Sequence, residues 1–293
     1  MKREISVQVP GKINLHLEVA GKRKDGFHGI CSLFQTVSLC DQLKLRSLTD
    51  AERIVLNGNF SCTPENNTIV KAVRIFLSYT GDKTGVSIEV EKRIPEGSGL
   101  GGGSADGAGT LVGMNALRGN PLSKDQLAKL GEKIGSDVPF FLSGSAAVVS
   151  GRGENVAPIK PKTGYPVLLA VPDFSISTAE AYRWIDEDKV SVQLLRSPEE
   201  IIKLYERGQP GEWDFCNTFE QVLFTRYPSL EKVKNDFYSA GALFSRVTGS
   251  GSTVFALFSS REERERAKKL LSKGLFSIWE VEMLARSSAI VLQ

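Results

Sequence analysis

The sequence predicts an α+β protein of two domains, each a mainly antiparallel sheet packed with helices. Three observations lead there. The strand-like segments alternate apolar with polar residues, as half-buried antiparallel strands do, instead of running continuously apolar as in a doubly wound parallel sheet. The helix-like segments stand apart from one another, each with its own start and stop residues. The chain has 293 residues, about two domains at roughly 150 residues each. The stretch Lys160-Pro-Lys-Thr-Gly164 reads as a linker, dividing the chain into residues 1–160 and 161–293.

The first 46 residues read as strands. Ile5, Val7 and Val9 alternate with polar partners, and after Pro10–Gly11 the pattern resumes at Ile13, Leu15, Leu17 and Val19. A period of two places Lys12, Asn14, His16 and Glu18 together on the opposite, polar face. Leu33, Gln35, Val37 and Leu39 continue the pattern, then Asp41, Leu43 and Leu45, and Val86, Ile88 and Val90 form a further strand ahead of Ile94–Pro95. The first helix spans Thr68 to Tyr79, after Asn66–Asn67 and before Gly81; the second spans Ser104 to Leu117 and stops at Gly119-Asn-Pro121. Ser123 with Gln126 forms a capping-box pattern. In the second half Ser197 and Pro198 open a helix ending near Gly208, Ser229 opens one ending at Gly241, and Ser260 with Glu263 opens one running to about Lys273. Pro166 to Val171 begins a new group of strands.

Composition excludes several classes. Lys plus Arg is 37 and Asp plus Glu is 34, a net charge of +3, too small a surplus for an electrostatic case for nucleic acid or anionic membrane. Hydrophobic residues at 41% and charged at 24% describe an ordinary globular chain, excluding disorder, collagen and coiled coil. The cysteines, Cys31, Cys40, Cys62 and Cys216, are scattered without a CxxC pair, and the chain has 2 histidines. Neither a zinc framework nor a disulfide framework follows. No apolar stretch marks a signal peptide, and none reaches the ~20 residues of a membrane span. A cytoplasmic protein is expected.

The most informative segment is Pro95, Glu96, Gly97, Ser98, Gly99, Leu100, Gly101, Gly102, Gly103 and Ser104, between a strand and a helix. Glycine removes the Cβ, allows positive φ and lets backbone N–H groups approach a ligand. A helix start behind such a loop makes an anion site, with phosphate the usual occupant; a hinge loop is the plainer alternative. Gly97, Gly99 and Gly102 satisfy GxGxxG, but the preceding strand alternates, unlike a dinucleotide-binding strand. No Gly-Lys-Ser/Thr follows, and the protein-kinase signatures are absent.

Two further segments carry functional groups. Pro10-Gly-Lys-Ile-Asn-Leu-His-Leu presents Lys12 and Asn14, and Ile134-Gly-Ser-Asp-Val-Pro-Phe-Phe holds Asp137 in a tight turn among apolar residues. A carboxylate so placed can act as general base, and a neighbouring lysine can keep it ionised and meet a phosphate. Either residue alone reads equally as a turn aspartate or a solvated lysine. A third turn, Thr248-Gly-Ser-Gly-Ser252, can line the same cleft from the second half. His16 reads as an ordinary strand histidine.

These segments, in this order and spacing, resemble the three motifs of the GHMP small-molecule kinases. Further stretches extend the resemblance over nearly the whole chain: Lys24-Asp-Gly-Phe-His28, Leu33-Phe-Gln-Thr, Gly151-Arg-Gly-Glu154, Ile176-Ser-Thr178 and Asn217-Thr-Phe-Glu220. They are most similar to the branch acting on a cytidine diphosphate conjugate of methylerythritol in the non-mevalonate isoprenoid route. The resemblance implies a cleft between the two domains, ATP and Mg²⁺ as cofactors, and phosphorylation of the substrate's 2-hydroxyl. It implies that the residues from Pro95 through Ala105 wrap the ATP phosphates. Asp137 would take the hydroxyl proton and Lys12 would orient Asp137 and offset phosphoryl charge. Asn14 would position the substrate, His28 would hydrogen-bond the cytosine, and Phe27 and Tyr182 would stack on it. Thr178, with Gly249 and Ser250 of the 249–252 turn, would complete the cleft. A monomer or weak homodimer serving a small molecule, with no nucleic acid or membrane partner, is the implied setting.

The chain departs from the family pattern at several places. Phe27 stands where tyrosine is usual, Ala105 where serine, Gly107 and Gly11 where alanine, and Thr218 where aspartate. The change at Ala105 removes a hydroxyl that would serve phosphate or metal. A family member for another small alcohol, of mevalonate or homoserine type, is the second expectation; the Asp-Gly-Phe-His segment and Tyr182 separate the two, since a substrate without a base needs no aromatic sandwich. A nucleic-acid-binding module is the third, opposed by the weak charge.

Overall fold

Alternation at a period of two builds two very long strands, β1 (Glu4–Lys22) and β2 (His28–Ala51), paired antiparallel along their length. The computed structural model describes residues 3–24, 26–190, 196–271, 275–286 and 290–293. Asp25 of the Asp-Gly-Phe-His segment and Lys273, the expected end of the last helix, lie outside them.

The chain continues through β3 (Ile54–Asn57), α1 (Thr68–Thr80), β4 (Thr84–Glu91), α2 (Gly102–Leu117), α3 (Lys124–Glu132) and α4 (Val138–Ser143). It then runs through β5 (Ala146–Gly151), β6 (Asn155–Pro158), β7 (Pro166–Pro172), α5 (Thr178–Glu187) and α6 (Pro198–Arg207). The last elements are α7 (Glu220–Arg226), α8 (Pro228–Ser239), β8 (Phe244–Val247), β9 (Val254–Leu257), α9 (Arg261–Leu271), β10 (Phe276–Glu282) and β11 (Val291–Leu292). In the first sheet the order is β11-β1-β2-β4-β3, with β5 on the early part of β2 and β6 beside β5. The second sheet has the order β10-β7-β9-β8 and is antiparallel throughout. Of the strand pairs among the described residues, β3–β4 alone is parallel.

The helix punctuation follows from local bonds. Asn67 caps α1 by accepting the Ile69 N–H, and Gly81 closes it at φ 70°. Ser123 with Gln126, and Ser197 with Glu200, form complete capping boxes. The Ser260 hydroxyl accepts the Glu263 N–H at the start of α9. One boundary differs from the expectation: α8 begins at Pro228, ahead of Ser229, because a proline already fixed near helical φ fits the first turn. The short elements β3, α4 and α7 carry too few periodic residues to be read from pattern.

The expected single polar face of β1 is the main correction. Register shifts fall between Pro10 and Lys12 and between Asn14 and His16. Asn14 pairs with Phe34 and His16 with Leu33, so the two polar residues sit over neighbours that point to opposite faces. A shift of this kind turns every following side chain over. Ile13 and Leu15 therefore join the core between the two sheets with Val167, Leu169, Phe255 and Leu257. Val7, Val9, Leu17 and Val19 join the core beneath the helices. All four polar residues are buried: Lys12 and Asn14 toward the cleft, His16 and Glu18 toward the second sheet. His16 accepts the Cys216 N–H at Nδ1 over 3.2 Å and packs its ring 5.3 Å from Phe215. It fastens β1 to the segment ahead of α7, while its buried Nε2 stands 3.6 Å from Glu18 Oε2 without a hydrogen bond.

Candidate active site

The glycine loop is shaped by bonds from three other segments. The carbonyl of Gly97 accepts from Ile176 N–H, that of Ser98 from Thr253 N–H, that of Gly99 from Lys12 Nζ, and that of Leu100 from Lys12 N–H. All four carbonyls are thus taken by donors of other segments, that of Gly99 by a lysine that itself lines the cleft. Gly97 and Gly99 hold φ of 63° and 80°, and Gly101, at φ 74°, caps α2. A Cβ on Gly99 would stand 2.2 Å from the Thr248 carbonyl, so the loop and the turn from the second half touch backbone to backbone. Together they make an arch at the start of α2, and a helix N-terminus suits an anion.

Beneath the arch lies a cleft of about 460 Å³. Lys12, Asn14, Pro95 to Gly99, Gly101 to Ser104, Asp137, Thr178, Tyr182, Gly249 and Ser250 all line it. Leu100 and Ala105 are fully buried with side chains in the core, so only their backbone can face a ligand. The loss of a serine hydroxyl at 105 therefore takes nothing from the cleft wall.

Lys12 donates to Asn14 Oδ1 over 2.6 Å and to Gly99 O over 2.9 Å, and stands 3.9 Å from Asp137 Oδ2. Its ammonium also lies 4.9 Å from the centre of the Phe34 ring. Burial pushes the Lys12 pKa down, and the Asp137 charge opposes that. Asn14 is fixed from both sides, its Nδ2 donating to Ser32 Oγ and its backbone N–H to Thr248 Oγ1. Asp137 sits in the expected turn, closed by the Val138 N–H to the Gly135 carbonyl, directly ahead of α4, with its carboxylate partly exposed.

Sequence reasoning missed an ionic cluster under α2. Lys92 Nζ donates to Asp41 Oδ2 and, over 2.8 Å, to Asp106 Oδ2. Asp41 Oδ1 also accepts the N–H groups of Arg93 and Ile94, whereas Asp106 Oδ1 is buried with no partner. Two carboxylates share one lysine, and Asp106, the less solvated by donors, takes up the difference. Burial pushes its pKa up to about 7; Lys92 pulls the other way and Asp41 adds to the rise. The pairing of Lys92 with Asp106 carries no short-range spacing signal, so it was not visible in the chain.

At the other end of the cleft Thr178 Oγ1 and Ser250 Oγ are 2.9 Å apart. His28 stacks on Tyr182 with ring centres 5.2 Å apart and 23° between planes. Phe27 is 57% exposed and lies beside Arg152, 5.2 Å from its ring centre, in a neighbouring cavity of about 300 Å³. The structure thus brings His28 to Tyr182 and leaves Phe27 outside that pair.

Two GHMP kinase family models match the chain, the N terminal domain over residues 67–145 and the C terminal over residues 193–275. The chain belongs to the GHMP kinases. A relative from Treponema pallidum (strain Nichols), 4-diphosphocytidyl-2-C-methyl-D-erythritol kinase, is 38% identical over 278 residues, 92% of this chain and 96% of its own. One of the same name from Thermodesulfovibrio yellowstonii is 38% identical over 262 residues, 88% of this chain and 91% of its own. The crystal structure of a 4-(cytidine 5'-diphospho)-2C-methyl-D-erythritol kinase superposes with a TM-score of 0.81 at 30% identity, covering 95% of this chain and 98% of that one.

Proposed function

We propose that the protein transfers the terminal phosphoryl group of ATP to the 2-hydroxyl of 4-diphosphocytidyl-2-C-methyl-D-erythritol, in the non-mevalonate route to isoprenoid precursors. The names of the relatives support the substrate. The observation that carries the chemistry is the Lys12 ammonium 3.9 Å from the Asp137 carboxylate, in the cleft that the glycine arch roofs.

In this reading Asp137 accepts the proton as the hydroxyl oxygen attacks the γ-phosphorus. The bond to the β-phosphate bridging oxygen breaks in line, and ADP leaves. Lys12, held by Asn14 and Gly99, offsets charge on the transferring group, and the amides of residues 97–104 hold the phosphates. Ser104, Asp137 and the unpartnered Asp106 Oδ1 are hard oxygen donors that fit Mg²⁺. When bound, Mg²⁺ would neutralise phosphate charge. His28 reads the cytosine, Tyr182 stacks on one face, and Phe27 folds over the other from its resting place beside Arg152. Residues 1–160 form the nucleotide-holding domain and residues 161–293 the second wall. The enzyme works in the cytoplasm on a small molecule, as a monomer or weak homodimer.

The test supplies ATP, Mg²⁺ and the cytidine substrate and follows ADP release. Turnover is expected with it, a marked loss with the uridine analogue, and near abolition in Asp137→Ala. Equal turnover on mevalonate would sink the substrate assignment.

A further inference from the structure

Asn217 is buried in the segment ahead of α7, and its carboxamide is fully used. Oδ1 accepts the Phe219 N–H over 3.0 Å, which fixes the orientation of the amide. Nδ2 then directs its two hydrogens to the Val247 and Gly249 carbonyls, both over 2.8 Å. Those carbonyls bracket Thr248. Glu220, also buried, adds a third bond by accepting the Val247 N–H at Oε1 over 2.9 Å, while its Oε2 accepts from Lys234 Nζ over 2.6 Å. The same segment is fastened to β1: Thr218 N–H donates to the Leu17 carbonyl over 2.9 Å, and Thr218 Oγ1 accepts the Val19 N–H over 3.1 Å.

We infer that Asn217 is a positioning residue for the phosphoryl transfer, acting through Thr248 and Gly249 on Asn14 and Lys12; this rests on the proposal that Lys12 and Asp137 carry out that transfer. Thr248 Oγ1 bonds Asn14 and the Gly99 carbonyl, which are the two hydrogen-bond partners of the Lys12 ammonium. A Cβ on Gly249 would stand 3.3 Å from Lys12 Nζ, so the backbone of the turn also closes one side of that ammonium. Asn217 lies behind the turn, outside the cleft wall, and moves the reacting groups only by moving what they rest on. An amide combines an acceptor with two donors in one short planar group, whereas a carboxylate of the same shape offers acceptors alone.

The experiment follows ADP release from ATP, Mg²⁺ and the cytidine substrate, with a melting temperature for every variant. Wild type and Asp137→Ala are compared with Asn217→Asp, Asn217→Ala, Thr248→Val, the pair Asn217→Ala with Thr248→Val, and Ser245→Ala. Ser245 is buried on β8 and donates to the Phe255 carbonyl over 2.8 Å, so Ser245→Ala is the control that loses stability and keeps kcat. Asn217→Ala is expected to lower kcat about ten- to a hundredfold, the effect of a small misplacement of reacting groups, with the KM for ATP little changed. Asn217→Asp keeps the shape and the Phe219 bond but sets an oxygen against two carbonyls, and should lower kcat at least as far. The double variant should lose no more than the larger of its single losses, because both changes break one support. A wild type without turnover, or Asp137→Ala at full kcat, overturns the transfer site and Asn217 with it. With Asp137→Ala inactive, wild-type kcat in either Asn217 variant overturns Asn217 alone. So does a loss matched by Ser245→Ala at equal melting temperature, a pair of single losses that multiply in the double variant, or failure of both Asn217 variants to fold.

Discussion

The Lys12 ammonium and the Asp137 carboxylate face each other across 3.9 Å, beyond hydrogen-bond reach. Lys12 has two of its protons on Asn14 and Gly99, so the third has this gap to point into. Asp137→Ala is expected to lower kcat by about 10²–10⁴ with the melting temperature little changed. Lys12→Met should lose activity too and also melt lower than wild type, since it takes away one partner of the pair and the donor to Asn14 Oδ1 and Gly99 O. Steady-state kinetics beside calorimetry separates these effects; activity lost only through unfolding would remove both residues from the chemistry.

Thr248 joins the two halves through one hydroxyl, which accepts the Asn14 N–H and reaches both Asn14 Oδ1 and Gly99 O. Thr248→Val keeps the shape and leaves a buried N–H unpaired, a cost of about 1–3 kcal/mol. Denaturant melts should show that loss, with kcat reduced, and Thr248→Ser should restore most of both.

Two glycines distinguish a phosphate cradle from a hinge. A Cβ at Gly99 meets the Thr248 carbonyl at 2.2 Å, whereas one at Gly103 comes no nearer than 3.9 Å to Thr68 Oγ1. Gly99→Ala should destabilise the protein outright. Gly103→Ala should melt like wild type and raise the KM for ATP, because its methyl group enters the space the phosphates need. An unchanged KM there would favour the hinge.

Asp106 gives stability a pH dependence. Its folded value, about 7, is above its ordinary 3.8, so folding favours the protonated carboxyl. That contribution is fully present below about pH 4 and lost as pH rises to about 7. Asp106→Asn mimics the protonated form. It should match wild type below about pH 4 and melt increasingly higher as pH rises to about 7, by about 2–4 °C for each kcal/mol in a chain this size. Scanning calorimetry across that range decides it; a variant less stable at every pH would contradict the assignment.

What the chain revealed in advance was whatever acts locally. Ser123, Gln126, Ser197 and Pro198 announce helix starts through bonds to residues a few positions away, and the glycine-rich stretch ahead of α2 marks its own turn. The two register shifts in β1 are different in kind. They come from how β1 meets β2, so counting by twos along β1 alone assigns His16 to the face of Asn14 and misses the crossing. The same holds for Lys92 with Asp106, and for Asn217 with Val247 and Gly249, which are brought together only by packing. Asp137 and Lys12 were recognisable as a pair through their motifs, but their separation was fixed by α4 and by the bend in β1.

The pairing of β11 with β1, Val7 opposite Leu292 and Gln8 opposite Val291, bears on biogenesis. During translation one margin of the opening strand stays bare until residues 291–292 leave the ribosome, although everything else that covers that sheet has already emerged. A nascent chain stalled a few residues short would expose those backbone groups to any passing strand.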